Sequence, residues 1–296
     1  VTTPAPARVF RSAPVPAVCL FDAHVNAVPE GIAPPDSFYA SVSLNELLAS
    51  RRADADAGIT HAGGLVAAPA GTDLLSASLA LAEQLPDPRG GWRAALRFDG
   101  GRGAFPRADP VRGFFARRRS AWGSGGRVAA AIRRDPTLLN RFAAVKLMPQ
   151  QTGLPEPDVL RAVSDAGLPL LVHAGARCTP QFVKRQLLPH VGSPVILAHL
   201  GSWPCAADTL DDAVQLAADD PRVHLETSGA SIGNFVRFAV EAVPDKVLFG
   251  TNTPMCTPAV QWKHVAGAID RDVTLRKVAI GNAARLFGLS AEGGAS

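Results

Sequence analysis

The stretch AVCLFDAHVNAVPEG, residues 17–31, decides between two α/β architectures. It opens on an unbroken apolar run, Ala17 to Phe21, as expected of a strand covered on both faces. It then places Asp22, His24 and Asn26 at positions i, i+2 and i+4, which an extended backbone aims at one face. A doubly wound open sheet usually carries a Gly-rich phosphate turn after its first strand. DAHVNAVPEG contains no GxGxxG, so the first strand reads as part of a barrel.

The rest of the chain supports that reading. Short apolar runs recur at 63–69, 92–98, 142–148, 168–174, 193–199, 222–228 and 246–252, separated by stretches of helical period. Helices are predicted over 43–58, 74–85, 155–167 and 209–220. Ser43 with Glu46 three residues later forms a capping box, and Gly58 and Gly167 stand where helices close. Strict alternation without an internal repeat or linker predicts a single (β/α)8 TIM barrel over 17–290. Residues 1–16, rich in Pro and Ala, read as a flexible N-terminal arm, and 291–296 as a C-terminal tail.

The 296-residue chain is 47% hydrophobic and 19% charged, which is a globular composition. Its net charge of +4 is too mild to imply nucleic-acid binding. Four cysteines without CxxC spacing argue against a zinc ribbon and a disulfide framework, and reduced thiols point to the cytoplasm. The start has no apolar h-region, and no run reaches the length of a membrane span.

Barrel enzymes hold their sites at the C-terminal strand ends. Those ends carry Asp22, His24 and Asn26, then Arg97 and Asp99, Lys146, His173, His199, Glu226 to Ser228, and Asn252. A strand-end histidine is more often a satisfied core residue than a catalyst. Three of the seven histidines on one rim weaken that explanation.

With FDAHVN on the first strand, AVKLMP on the fourth, LPLLVHAG on the fifth and VILAHLGS on the sixth, the chain resembles the amidohydrolase superfamily. The likeness continues through VHLETSG, VLFGTNTP and IGNAARLFGL, and is specific to the amidohydrolase-related branch of decarboxylases, lactonases and hydrolases. The resemblance implies a metal held by both histidines of a DxHxH strand, the strand-five histidine and a strand-eight aspartate. Here those positions are His24, Asn26, His173 and Asn252. Two carboxamides replace an imidazole and a carboxylate, both usual zinc donors. Asn252 also cannot act as the general base that the family aspartate supplies.

No cofactor is therefore expected; if zinc binds at all, His24 and His173 are its ligands. Cys178, Cys205 and Cys256 follow strands five, six and eight and offer alternative thiolate ligands or nucleophiles, although small half-buried residues are the commoner explanation.

A buried strand lysine needs a counter-charge or a ligand. Lys146 is read either as anion-binding or as paired with Asp22 or Glu226, and Arg97 invites the same two readings. Between Arg102 and Arg141 ten arginines face two acids, Asp109 and Asp135. This basic insertion after strand three, about 100–141, reads as a lid for an anionic substrate or a docking surface for an acidic partner protein. Its VAAAIRRDPTLLNRF portion has the pattern of an amphipathic helix with a solvated basic face. The Ala, Arg, Pro and Gly bias points to a GC-rich bacterial genome and specialised metabolism, an expectation with which a GTG start at Val1 is compatible.

The expectation is a metal-independent hydrolase or lyase acting on a small carboxylate-bearing substrate. His199, His173 and His24 are its catalytic residues, and Asn26, Arg97, Lys146 and Asn252 bind substrate. The alternative is a non-catalytic relative that binds a ligand or supports a partner subunit. A homo-oligomer remains compatible with both, whereas nucleic acid and membrane are not expected partners.

Overall fold

Eight parallel strands pair in chain order, β1 (Val18–Asn26), β2 (Ile59–Ala67), β3 (Trp92–Phe98), β4 (Ala144–Leu147), β5 (Leu170–Gly175), β6 (Val195–Trp203), β7 (Val223–Glu226) and β8 (Val247–Leu248). The computed structural model describes residues 17–35, 42–85, 91–98 and 124–289. β1 meets the chain just beyond β8: Ala23 donates to Phe249 O at 2.9 Å, Asn252 to His24 O at 2.7 Å and Asn26 to Thr253 O at 2.9 Å. With helices between successive strands, this is a single (β/α)8 barrel.

Two apolar layers hold it. Phe21, Ala23, Leu65, Ala95, Leu171, Ile196 and Leu248 fill the barrel, and Phe287 from the last helix (Asn282–Phe287) stacks on Phe21 with ring centroids 5.3 Å apart. The second layer, including Leu20, Val66, Leu96, Val172, Leu197 and Leu225, faces the surrounding helices. The near-continuous apolar character of the strands follows from burial on both faces.

Local chemistry sets the helix limits. Ser43 and Glu46 make the reciprocal capping box that opens Leu44–Ala53. A 3-10 turn, Asp54–Ala57, then leads to Gly58 at φ 75°, a left-handed stop suited to glycine. The helix Ser124–Arg134 buries Val128, Ala129 and Ile132 and exposes Arg127, Arg133 and Arg134. Arg127 pairs with Asp73, Arg133 with Asp158 at 2.6 Å, and Arg141 with Glu83 at 2.8 Å, so these arginines lie on a solvated outer face. The N-terminal arm, Asp99, the insertion up to residue 123 and the C-terminal tail lie outside the described residues. No helix among the described residues is long and apolar enough to cross a membrane.

Candidate active site

His24 sits at the centre of the polar rim. It is buried at the end of β1, with Nδ1 3.0 Å from Glu226 Oε2 and 3.0 Å from Ser228 Oγ. On its other side Lys146, from β4, donates from Nζ to His24 Nε2 at 2.7 Å and to Asn26 Oδ1 at 2.5 Å. An ammonium can only donate, so His24 Nε2 must accept and its proton sits on Nδ1, facing the carboxylate. Burial first, then Lys146 and Arg97, hold the His24 pKa well below the ordinary imidazole value.

A second imidazole pair has its tautomers fixed in the same way. His199 Nδ1 lies 2.8 Å from the Ser228 carbonyl, which can only accept. Its proton is therefore on Nδ1, and Nε2 accepts from His173 Nδ1 at 3.0 Å. His173 is left with a lone pair on Nε2, which has no hydrogen-bond partner among the described residues. His173 is half-buried while His199 is fully buried, so His173 is the imidazole that reaches the opening. Burial and the neighbouring His199 push His173 down to about 2, and burial and His24 push His199 down to about 4. Both rings are neutral at physiological pH.

Ser228 ties the two halves together. Its hydroxyl donates to Glu226 Oε2 at 2.7 Å and accepts from the Nδ1 groups of His24 and His199, each at 3.0 Å. Glu226 Oε1 also takes the Ser228 backbone N–H. Burial raises the Glu226 pKa, opposed by His199 and these bonds. Gly250 makes room for this carboxylate, since a Cβ there would lie 2.1 Å from Glu226 Oε1. His24, His199 and Glu226 offer ligand atoms within 4.8 Å of one another, and the Ser228 hydroxyl bonds to all three side chains.

Asn26 and Asn252 meet as amides: Asn26 Nδ2 donates to Asn252 Oδ1 at 2.8 Å and to Thr253 O at 3.0 Å. Asn252 at φ 55° and His199 at φ 60° are left-handed, a conformation that non-glycine residues adopt at a cost and that is common at functional sites. Arg97 is the register neighbour of Lys146 on β3 and is also buried. Its guanidinium donates to Ala68 O at 3.3 Å and to Met148 Sδ at 2.5 Å.

Asp22 departs from the face shared by His24 and Asn26. Its carboxylate takes Thr251 N at 2.9 Å, Thr251 Oγ1 at 2.7 Å and Arg51 at 3.3 Å. The reason is local: the β1–β2 register shifts between Asp22 and Val25, so strict alternation fails there. Asp22 thus braces the β1–β8 seam while the other two residues face Lys146.

Arg51 and Trp203 were not singled out as site residues by sequence reasoning. Trp203 packs on His199 and His173 with ring centroids 4.8 and 5.8 Å apart. Arg51 lies on a helix whose basic residues otherwise look solvated, so no local signal marks it. Ser228 was legible as one of the polar residues at the end of β7, although its bonds to both histidines were not.

The cysteines stand apart. Cys178 is buried, its thiol pushed up to about 12 by burial. Cys205 bonds Ser231 Oγ at 3.2 Å and Cys256 bonds Thr257 O at 3.5 Å. Among the described residues none of the three hydrogen-bonds the histidine–lysine cluster.

The amidohydrolase family model Amidohydro_2 matches residues 21–289. No curated protein shows significant sequence similarity to the chain. Among solved structures, an apo Agrobacterium tumefaciens protein is similar at 14% identity and TM-score 0.64, covering 94% of this chain and 98% of its own. A Pseudomonas putida protein described as a 2-pyrone-4,6-dicarboxylic acid hydrolase shares 16% identity and TM-score 0.62, over 94% and 100% of the two chains. The 2,6-dihydroxybenzoate decarboxylase from Rhizobium shares 14% identity and TM-score 0.60, over 93% and 99%.

Proposed function

The chain belongs to the amidohydrolase family, and from that premise we propose that it is a metal-independent hydrolase or lyase acting on a small carboxylate-bearing substrate in bacterial specialised metabolism. The single observation that carries the reading is the buried Lys146 ammonium, 2.7 Å from His24 Nε2 and 2.5 Å from Asn26 Oδ1. It supplies fixed positive charge at the rim, with Arg97 beside it on the neighbouring strand. The hydrolase and the decarboxylase among the similar structures above have substrates that bear carboxylates in their names.

The residues do not fit the family's divalent cation. Asn26 and Asn252 are neutral carboxamides bonded to each other. The one lone pair of neutral His24 is taken by Lys146. His173 alone of the four inherited positions keeps a nitrogen lone pair without a partner among the described residues, and a catalytic zinc ordinarily needs three protein ligands.

In this reading the substrate carboxylate approaches Lys146 and Arg97, and the reacting centre faces His173. His173 Nε2 takes or returns a proton, while His199 Nε2 holds the Nδ1 proton and keeps the ring oriented. The low proton affinity of His173 in the free protein comes from burial and neighbouring groups. A bound anion beside it opposes those effects and raises that affinity. Lys146, with the Asn252 side-chain amide N–H, stabilises negative charge that develops on the substrate, while Asn26 holds both in place.

Chelator-treated protein should be offered carboxylated lactones and hydroxybenzoic acids, with turnover followed by absorbance and products by mass spectrometry. Turnover of at least one member supports the reading. Saturable binding of a member without conversion supports the alternative, a non-catalytic ligand-binding relative, and turnover that needs added zinc contradicts metal independence.

A further inference from the structure

The position of Lys146 says more than that the rim is basic. We infer that its ammonium is a tethered replacement for the family's cation: it occupies the cation position itself and, in doing so, keeps divalent metals out. The inference rests on the cation misfit described above but not on any catalytic activity.

Nζ bridges two atoms from the first and second histidine positions of the metal-binding strand, His24 Nε2 at 2.7 Å and Asn26 Oδ1 at 2.5 Å. Both act as acceptors toward it, as both would act as donors toward a metal. Because Lys146 and β1 are 122 and 120 residues apart in sequence at these two contacts, only barrel closure brings them together. The amine is carried on a strand whose backbone is pinned on both sides, by Arg97 in β3 and Leu171 in β5. It is therefore held in place as part of the barrel wall and cannot diffuse away as an ion does.

The other face of His24 is closed as well. Its Nδ1 proton is committed to Glu226 and Ser228. Turning the ring to free a lone pair would break these bonds and leave Glu226 buried with one partner fewer, which is costly in a dry interior. The amides at 26 and 252 complete the arrangement. A carboxamide oxygen suits an ammonium, and the Asn26 amide nitrogen is satisfied by Asn252 Oδ1. A histidine at 26 and an aspartate at 252 would instead bring an imidazole lone pair and a negative charge toward the same cation. The two carboxamides and the ammonium are thus mutually complementary.

This complementarity has a specific consequence for metal binding. Restoring ligands alone should not restore a metal site, because the ammonium still fills it. Four proteins test this: wild type, Asn26→His with Asn252→Asp, Lys146→Met, and the triple variant, all stripped with chelator. Zinc affinity is read by competition with a chromophoric chelator, and folding by thermal melts; a second triple with Lys146→Gln covers the case in which methionine unfolds the barrel. Wild type and Lys146→Met are expected to bind no stoichiometric zinc. The triple variant should bind one equivalent, roughly 10²–10³-fold more tightly than the double variant, the scale of displacing a buried charge from its partners. Equal affinity in the double and triple variants would overturn the inference, and so would one equivalent of zinc in the wild type with Lys146 intact. Activity enters neither outcome, so failure here is separable from failure of the proposed reaction.

Discussion

His199 Nε2 accepts a hydrogen bond from His173 Nδ1 at 3.0 Å, and the Ser228 carbonyl on the far side of His199 sets the direction of that bond. The pair has one accessible ring and one buried ring. The accessible ring touches substrate in the proposed chemistry, and the buried ring acts through it. Replacing His173 with Asn should lower turnover by a factor of roughly 10²–10⁴. His199→Asn should give a loss of similar order through a misoriented His173, with a smaller effect on KM. Full activity in either variant, measured by steady-state kinetics on the first substrate found, would remove the histidine pair from the mechanism.

Arg51 and Asp22 form a buried ion pair at 3.3 Å, with Arg51 also donating to Thr253 Oγ1 at 2.5 Å. Burial raises the Asp22 pKa and the Arg51 charge opposes it. Arg51→Met should destabilise the barrel by about 3–5 kcal/mol, because it leaves a buried carboxylate short of its cation. Adding Asp22→Asn should recover part of that loss. Urea unfolding of the two variants checks both the size and the recovery.

Gly250 lies against Glu226, where a Cβ would be 2.1 Å from Oε1. Gly250→Ala should cost about 1–3 kcal/mol by overpacking and displace the carboxylate from His24 and Ser228. Thermal melts should fall with the substitution; an unchanged melting temperature would mean that the carboxylate has room to spare.

Several histidines are held neutral by the fold. His224 on β7 is pushed down to about 4 by burial, then by Lys246 and Arg285, and its Nδ1 has no hydrogen-bond partner among the described residues. Below the ordinary value of 6.5 the unfolded chain takes up a proton that the folded chain refuses. Stability is therefore fully present above that pH and falls as pH drops from 6.5 toward about 4. His224→Gln should make the fall shallower in urea melts at several pH values. A slope identical to wild type would show that His224 does not contribute.

The barrel was legible because its strands are short apolar runs of regular spacing, and because residues 17–31 lack the glycine turn of the rival fold. The capping box at Ser43 and the stop at Gly58 are local chemistry, which sequence displays directly. The rim residues were legible through strand ends and family likeness. Partnerships across the barrel were harder to see. His24 and Ser228 are 204 residues apart, and Arg51 and Thr253 are 202 apart. Nothing local in either segment announces such a bond. The turning of Asp22 away from His24 depends on a register shift between strands, which alternation along one strand cannot reveal. The roles of His173 and His199 rest on which ring nitrogen faces the Ser228 carbonyl, a matter of geometry alone.

The central claim is that fixed protein charge, with Lys146 at its centre, does the work that the family assigns to a metal. The most direct test is the turnover number of wild-type protein on its first identified carboxylate substrate, measured after exhaustive chelation and again with one equivalent of zinc. The account expects the two values to agree within about twofold, with both lost in Lys146→Met, since preorganised charge of this kind accounts for a factor of roughly 10²–10³. A chelated enzyme that is inactive and recovers on stoichiometric zinc would contradict it.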